Sequence, residues 1–401
     1  SSRGRGVAMV AGDSSSHAPP RIQHNARMAR RFGLHGNPAR ASRFARLAAV
    51  VYVALLIFAS LTPWGGWRDL GYSPFAWVAA PAPAWITHFD LGVNVAGYLP
   101  LGFLLVCALH PRLRGAAALL AATLAGALVS GFVESVQVYL PARVPSNLDW
   151  LSNVLGSLLG AALALPLAAP LIERGRMLEL RARWFDPHAQ AGLVLLLLWP
   201  LAQLYPEPML FGNGHVMDGI SALVGALGGS LAPFDPAHFS AAEYVLAEAV
   251  VVTAAVLAAG LMAASLMRPQ APRLALLAAL LLAALALRTL AAGLQAGPER
   301  ALAWLTPGAL GGLVLGSLAL AVSAFGPARW LPRAALLAMA ALLFAVNAVP
   351  PNPYFALELA AWRPGRATHL WAVAQWLSVA WPWLAAGWLA VRSVSATPRS
   401  L

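Results

Sequence analysis

The sequence predicts an all-α, polytopic integral membrane protein of about ten transmembrane helices with both termini cytoplasmic. Three observations carry that reading. Of 401 residues, 60% are hydrophobic and only 10% are charged, far more apolar material than one soluble core can bury. The apolar residues fall in stretches of about 20, the length that crosses about 30 Å of hydrocarbon. The arginines, finally, alternate between the two sides of the helices so placed. All 27 basic residues are Arg, and 21 of them lie in the N-terminal segment, the loops 110–114, 171–188, 268–273 and 326–333, and the C-terminal end. The opposite side holds five, Arg68, Arg143, Arg300, Arg363 and Arg366, while Arg288 falls within a helix. Arginine concentrates on the cytoplasmic side of membrane proteins. The net charge of +12 therefore reports orientation, and no nucleic-acid partner is expected.

Taken in order, residues 1–46 are rich in Arg, Ser and Gly with one acid, Asp13, and read as a disordered cytoplasmic tail. Organellar transit peptides share that composition. Spanning helices are expected at 46–63, 89–109, 115–139, 148–170, 189–205, 243–267, 273–293, 301–325, 332–349 and 369–391. They group into a four-helix unit at 47–170, a basic cytoplasmic loop at 171–188 and a six-helix membrane region at 189–392, ending in a short cytoplasmic tail at 393–401. Of the long outer segments, 64–87 carries Trp64, Trp67, Trp77 and Trp85 and suits an interfacial belt. Residues 206–242 are expected to dip into the membrane as a re-entrant piece, and Pro350-Pro351-Asn352-Pro353-Tyr354 forces an extended path. The single Cys107 lies in a spanning segment, so neither a disulfide nor a Cys-based metal site is expected.

One polar pattern occurs twice on this apolar background. Thr87-x2-Asp90-x3-Asn94-x2-Gly97 is matched by Ser146-x2-Asp149-x3-Asn153-x2-Gly156, with Glu134, Gln137 and Arg143 between the copies. The spacing places Asp, Asn and Gly of each copy on one helical face. Under the expected topology both copies run inward from the outer surface, a parallel repeat, with Asp90/Asn94 facing Asp149/Asn153 across a pseudo-twofold axis. Each Asp has a structural alternative, because Thr-x-x-Asp and Ser-x-x-Asp match a capping box. Each Asn lies a turn deeper, where an unpaired amide costs a few kcal/mol. Glu134 has Arg143 as its natural ion-pair partner; the pair either pins the hairpin or helps line an outward-facing polar pocket. That pocket would be built from Asp90, Asn94, Glu134, Gln137, Arg143, Asp149 and Asn153. Gly97, Gly102, Gly156 and Gly160 are expected to let helices approach closely.

Asp90-x3-Asn94-x2-Gly97-x2-Pro100-x-Gly102, then Glu134-x2-Gln137-x5-Arg143, then Asp149-x3-Asn153-x2-Gly156-x3-Gly160 resembles the VanZ-like family of bacterial membrane proteins, over roughly residues 48–170. The resemblance implies a place in the cell envelope, and founding members are linked to low-level resistance to the glycopeptide teicoplanin. It implies no established reaction, and six additional helices set this chain apart from short members.

The expectation is a multi-pass protein of the bacterial inner membrane that binds a lipid-linked or peptidoglycan-related group from the outer side, with consequences for glycopeptide sensitivity. No cofactor is expected, and the chain reads as non-enzymatic. Two alternatives stay open. One is an intramembrane enzyme using Glu134 and an Asp for acid–base work on a lipid-linked substrate. The other is a transporter built on the parallel repeat. His215, Asp218, His238 and Glu243 lack a metal-ligand spacing. Arg288, Glu248 and Gln295 suggest snorkelling or local pairing.

Overall fold

The computed structural model describes residues 38–81, 87–173, 176–229, 239–349 and 368–395. Among them are twelve α-helices and one isolated bridge, Phe185 to Met267, but no strand. The first four helices are α1 (Pro38–Leu61), α2 (His88–Leu109), α3 (Gly115–Gln137) and α4 (Asn147–Ile172). A short polar helix, α5 (Arg176–Trp184), leads to α6 (Gln190–Ala202) and α7 (Met217–Ala226). Then come α8 (Ala241–Leu266), α9 (Arg273–Ala296), α10 (Pro307–Ser323), α11 (Leu331–Ala348) and α12 (Thr368–Ser395). Seven of these are long and apolar enough to cross a membrane: α1 to α4, α8, α9 and α11. Of the other three expected spans, α6 and α10 are apolar but shorter. Helix α12 has 28 residues, and its Gln375, Arg392 and five Trp dilute its apolar character.

Local chemistry explains where the observed boundaries depart from the expected ones. Helix α1 starts at Pro38, so residues 38–46 are helical rather than part of a disordered tail; residues 1–37 lie outside the described set. Loop 171–188 contains α5, whose Glu179 in the first turn and Arg181 and Arg183 in the last complement the helix dipole. The helix expected from residue 301 begins at Pro307. Thr306 Oγ1 accepts from Ala309 N at 3.1 Å, and Pro at the first helical position has no N–H to leave unsatisfied. In the expected belt, Trp64 and Trp67 are exposed, whereas Trp77 is buried and donates to Ser135 Oγ at 3.3 Å. Within 206–242, residues 210–214 are buried, and Gly214 N donates to Ser378 O of α12 at 2.9 Å. Helix α7 follows. Trp85, residues 230–238, and 350–367 with the Pro350–Tyr354 turn fall outside the described residues.

The C-terminal half is organised on α8, which is buried almost continuously from Val251 to Leu266 and packs against α10 and α11. A helix apolar on every side belongs at the centre of a bundle. Arg288 of α9 does not snorkel. It is buried, donating to the carbonyl oxygens of Tyr205 at 2.9 Å and Glu207 at 2.7 Å. Glu248 accepts from Thr306 Oγ1, and Gln295 Nε2 donates to Leu204 O at 3.4 Å. Carbonyl oxygens of the loop after α6 thus accept from Arg288 and Gln295 of α9.

In the N-terminal half the closest packing is between α2 and α4. Gly156 lies on Val95, Gly160 on Leu99 and Gly102 on Ser157, each so near that an added Cβ would strike a backbone carbonyl oxygen. Residue numbers rise together along the two helices, so they run parallel. Such contact of small residues substitutes for the hydrophobic effect where lipid is the solvent. Gly97 departs from the expected packing role, because a Cβ there would meet nothing within 4 Å.

Candidate functional site

Gly97 lines a half-open cavity of about 500 Å³ bounded by α1, α2, α3, α4 and the later α6 and α12. Six of the seven expected polar residues line it: Asn94, Glu134, Gln137, Arg143, Asp149 and Asn153. Asp90 does not. Its carboxylate accepts from Thr87 N at 2.9 Å and Thr87 Oγ1 at 2.7 Å, while Asp90 N donates to Thr87 Oγ1. The capping box forms in this first copy.

The second copy has the same sequence pattern and a different outcome. Ser146 Oγ accepts from Leu148 N at 3.1 Å, and the backbone N–H of Ser146 donates to Glu134 Oε2 at 2.9 Å. Glu134, reaching across from the end of α3, takes the place at the start of α4 that a capping box would give to Asp149. Asp149 is therefore released towards the cavity, where its Oδ1 accepts from Asn94 Nδ2 at 2.7 Å. This bond joins the Asn of one copy to the Asp of the other. The reciprocal bond is missing, because Asn153 Nδ2 donates to Ser130 Oγ at 2.9 Å and Asp90 stays in its cap. The expected pseudo-twofold pairing is thus realised in only one of its two halves.

The expected Glu134–Arg143 ion pair is replaced by separate anchorages. Glu134 is spent on Ser146, while Arg143 Nη2 donates to the carbonyl oxygen of Thr62 at the end of α1. Burial pushes the Arg143 guanidinium down from 12.5 to about 10, opposed by the charge of Glu134, so it stays cationic at neutral pH. Gln137 Nε2 donates to Ser60 O at 2.8 Å, a second tie from α3 to the end of α1. Tyr52 of α1 donates to Gly97 O at 2.8 Å.

Several lining residues escape sequence reasoning. Tyr52 and Tyr98 interrupt apolar stretches with a hydroxyl, and Ser130 sits one turn before Glu134 on the same face; those signals were available. Leu201, Leu204, Val373, Ala374 and Leu377, which complete the apolar wall, carry no signal, because nothing distinguishes them from other lipid-facing residues. Among the polar atoms of the lining residues, Tyr98 Oη and Asn153 Oδ1 are buried with no hydrogen-bond partner. Buried polar atoms ordinarily have one.

The other expected clusters do not converge on this site. Glu243 caps its own helix, accepting from Ser240 N and Oγ, and His215 Nδ1 is 3.2 Å from Val346 O. Among the described residues no group of three or more His, Cys, Asp or Glu is arranged to hold a metal. His238 lies outside the described residues, as does the side chain of Asp218.

With this geometry in place, the comparisons with known proteins locate the unit. Residues 44–169 match the family model described as VanZ/LLP1, a stretch that covers α1 to α4 but for their outermost residues, and every polar residue of the cavity. The helices from α5 onward lie beyond the match. No curated protein and no solved structure matches the chain.

Proposed function

We propose, for a membrane protein whose residues 44–169 form a VanZ-like unit, that the cavity binds the polar group of a lipid-linked or peptidoglycan-related molecule. It does so from the outer face of the bacterial inner membrane. The observation that carries this reading is the enclosure of six polar side chains and an apolar wall in one cavity of about 500 Å³. An ionisable residue at membrane depth is costly to keep and marks a working site by default, and a largely apolar pocket with a few convergent polar groups is the usual form of a small-molecule site. The reading is one of binding rather than catalysis: Glu134 already accepts a backbone N–H and Asp149 an amide N–H, which is how groups that hold a shape are employed. Altered glycopeptide sensitivity would follow from such binding as a downstream effect. Acid–base chemistry by the same two carboxylates is the alternative, and its sign would be turnover of an added lipid-linked substrate.

The test is lipid retention by the purified full chain, measured by native mass spectrometry in wild type and in Gly97→Leu. The Leu side chain would project into open space and fill the cavity. Loss of bound lipid in the variant, with an unchanged unfolding midpoint, is the expected result. Equal retention in both proteins would refute the proposal.

A further inference from the structure

The hydrogen-bond directions around the cavity narrow the ligand class. Each amide that lines it spends an N–H inside the protein: Asn94 Nδ2 on Asp149, Asn153 Nδ2 on Ser130, and Gln137 Nε2 on Ser60 O. The Asn94 and Gln137 orientations are dictated by acceptors, a carboxylate and a carbonyl, that cannot donate. Their oxygen ends are left to the cavity side. Each carboxylate likewise has one oxygen engaged, Asp149 Oδ1 by Asn94 and Glu134 Oε2 by Ser146 N. Asn153 is only 6% exposed, and its Oδ1 has no partner. Oxygens of Asn94, Gln137, Asn153, Asp149 and Glu134 are thus left to accept at the wall, beside the second N–H of each amide and the guanidinium of Arg143.

Charge points the same way. Two acids, Asp149 and Glu134, and one base, Arg143, line the cavity, so acidic groups outnumber basic ones. A single cation entering the cavity would meet a carboxyl group that Arg143 does not balance. A primary ammonium matches both demands, with three N–H donors and one positive charge. A phosphate finds one guanidinium but meets two carboxyl groups, and a neutral polyol leaves the acidic excess unmatched.

We infer that the cavity recognises an amphiphile whose head bears a primary amine, the ammonium lying among Asp149, Glu134 and Asn153 and the apolar chain along Leu201, Leu204, Val373 and Leu377. This rests on the headgroup-binding reading above and specifies its ligand. A site built for phosphate recognition would gather several Arg side chains or backbone N–H groups, whereas among the described lining residues Arg143 stands as a single basic side chain beside two acids.

The experiment uses the unmodified full chain in detergent with three lipids of identical acyl chains bearing phosphoethanolamine, phosphocholine or phosphoglycerol heads. Native mass spectrometry reads the occupancy of each. The expected result is at least tenfold preference for the phosphoethanolamine lipid over the phosphoglycerol lipid. Phosphocholine should also bind less well, since its quaternary nitrogen carries charge without donors. Glu134→Gln combined with Asp149→Asn, which keeps both side-chain shapes, should bring the three within about twofold of one another, since each charge change contributes a factor of up to ten at about 1.4 kcal/mol. Equal occupancy of the three lipids on wild type, displaced by Gly97→Leu, would overturn the amine inference and leave the cavity as a headgroup site. Occupancy indifferent to Gly97→Leu would overturn both.

Discussion

Gly97 and Gly156 occupy equivalent places in the repeated motif, and the structure gives the same substitution opposite consequences at the two. At Gly156 a Cβ would strike the carbonyl oxygen of Val95 and lie 3.0 Å from its carbonyl carbon. Carbon atoms in contact ordinarily lie about 3.5–4.0 Å apart, so α2 and α4 would separate by roughly 0.5–1 Å along their tightest seam. Overpacking of that kind costs about 1–3 kcal/mol. The separation also pulls on the Asn94–Asp149 bond, whose donor is the residue beside Val95, adding about 1 kcal/mol if that bond is lost. At Gly97 the Cβ enters open space, and replacing a mid-helix Gly by Ala gains up to about 1 kcal/mol of helix propensity. The expected gap between Gly156→Ala and Gly97→Ala is about 2–4 kcal/mol, the first destabilised and the second equal to or above wild type. Denaturant titration of the purified full chain in mixed micelles, followed by helical circular dichroism, measures it. Equal shifts, or a larger loss at Gly97, would refute both the parallel seam and the assignment of Gly97 to the cavity wall.

Arg288→Met removes the charged donor to Glu207 O and to Tyr205 O, the latter keeping Glu207 N, and should lower stability by about 3–5 kcal/mol, two hydrogen bonds to a charged group at about 1.5–3 kcal/mol each. The same titration checks it, and a loss below about 1 kcal/mol would count against the buried arrangement. Asp186 lies outside the spanning helices. Burial alone would raise its carboxyl, but the N–H of His188 and the cation of Arg392 outweigh that and hold it below the usual carboxylate value. A depressed folded-state pKa means that this clasp between loop and α12 stabilises at neutral pH and is lost as pH falls below about 4, through the folded value. The slope of unfolding midpoint against pH in that window should flatten in Asp186→Asn; an unchanged slope would dismiss the clasp. Val144 lines the cavity and is 57% exposed. In a Cys107→Ser background, Val144→Cys should react with an impermeant maleimide added to intact spheroplasts, and labelling only after lysis would place the cavity on the other side.

Much of the fold is legible because apolar stretches and caps are local properties: Thr87 with Asp90 announces the start of α2, whereas the expected start of α10 at residue 301 passes over the Thr306-Pro307 cap. The site was legible where a polar residue has no business in an apolar run, as with Asn94, Asn153 and Glu134. It was illegible where the decision is made by a residue far along the chain. Ser146 and Asp149 match a capping box as well as Thr87 and Asp90 do, and only the arrival of Glu134 from α3 prevents the box from closing. Arg288 reads as a case of snorkelling or local pairing because its acceptors are carbonyls of a non-helical loop some eighty positions away, which no periodicity reports. Spacing gave Gly97 and Gly156 one role, and packing divided them, because only one of the two faces its partner helix.

The boundary of the VanZ-like match falls inside the cavity's own enclosure: the polar floor belongs to residues 44–169, and part of the greasy wall belongs to α12, some two hundred positions later. Floor and wall can therefore diverge independently. Under the headgroup reading proposed above, substitutions in α12 would retune the length or bulk of the chain accommodated while the residues facing the head stay as they are. Under that same reading, grafting residues 44–169 onto another scaffold would carry over one half of a selectivity whose other half stayed behind.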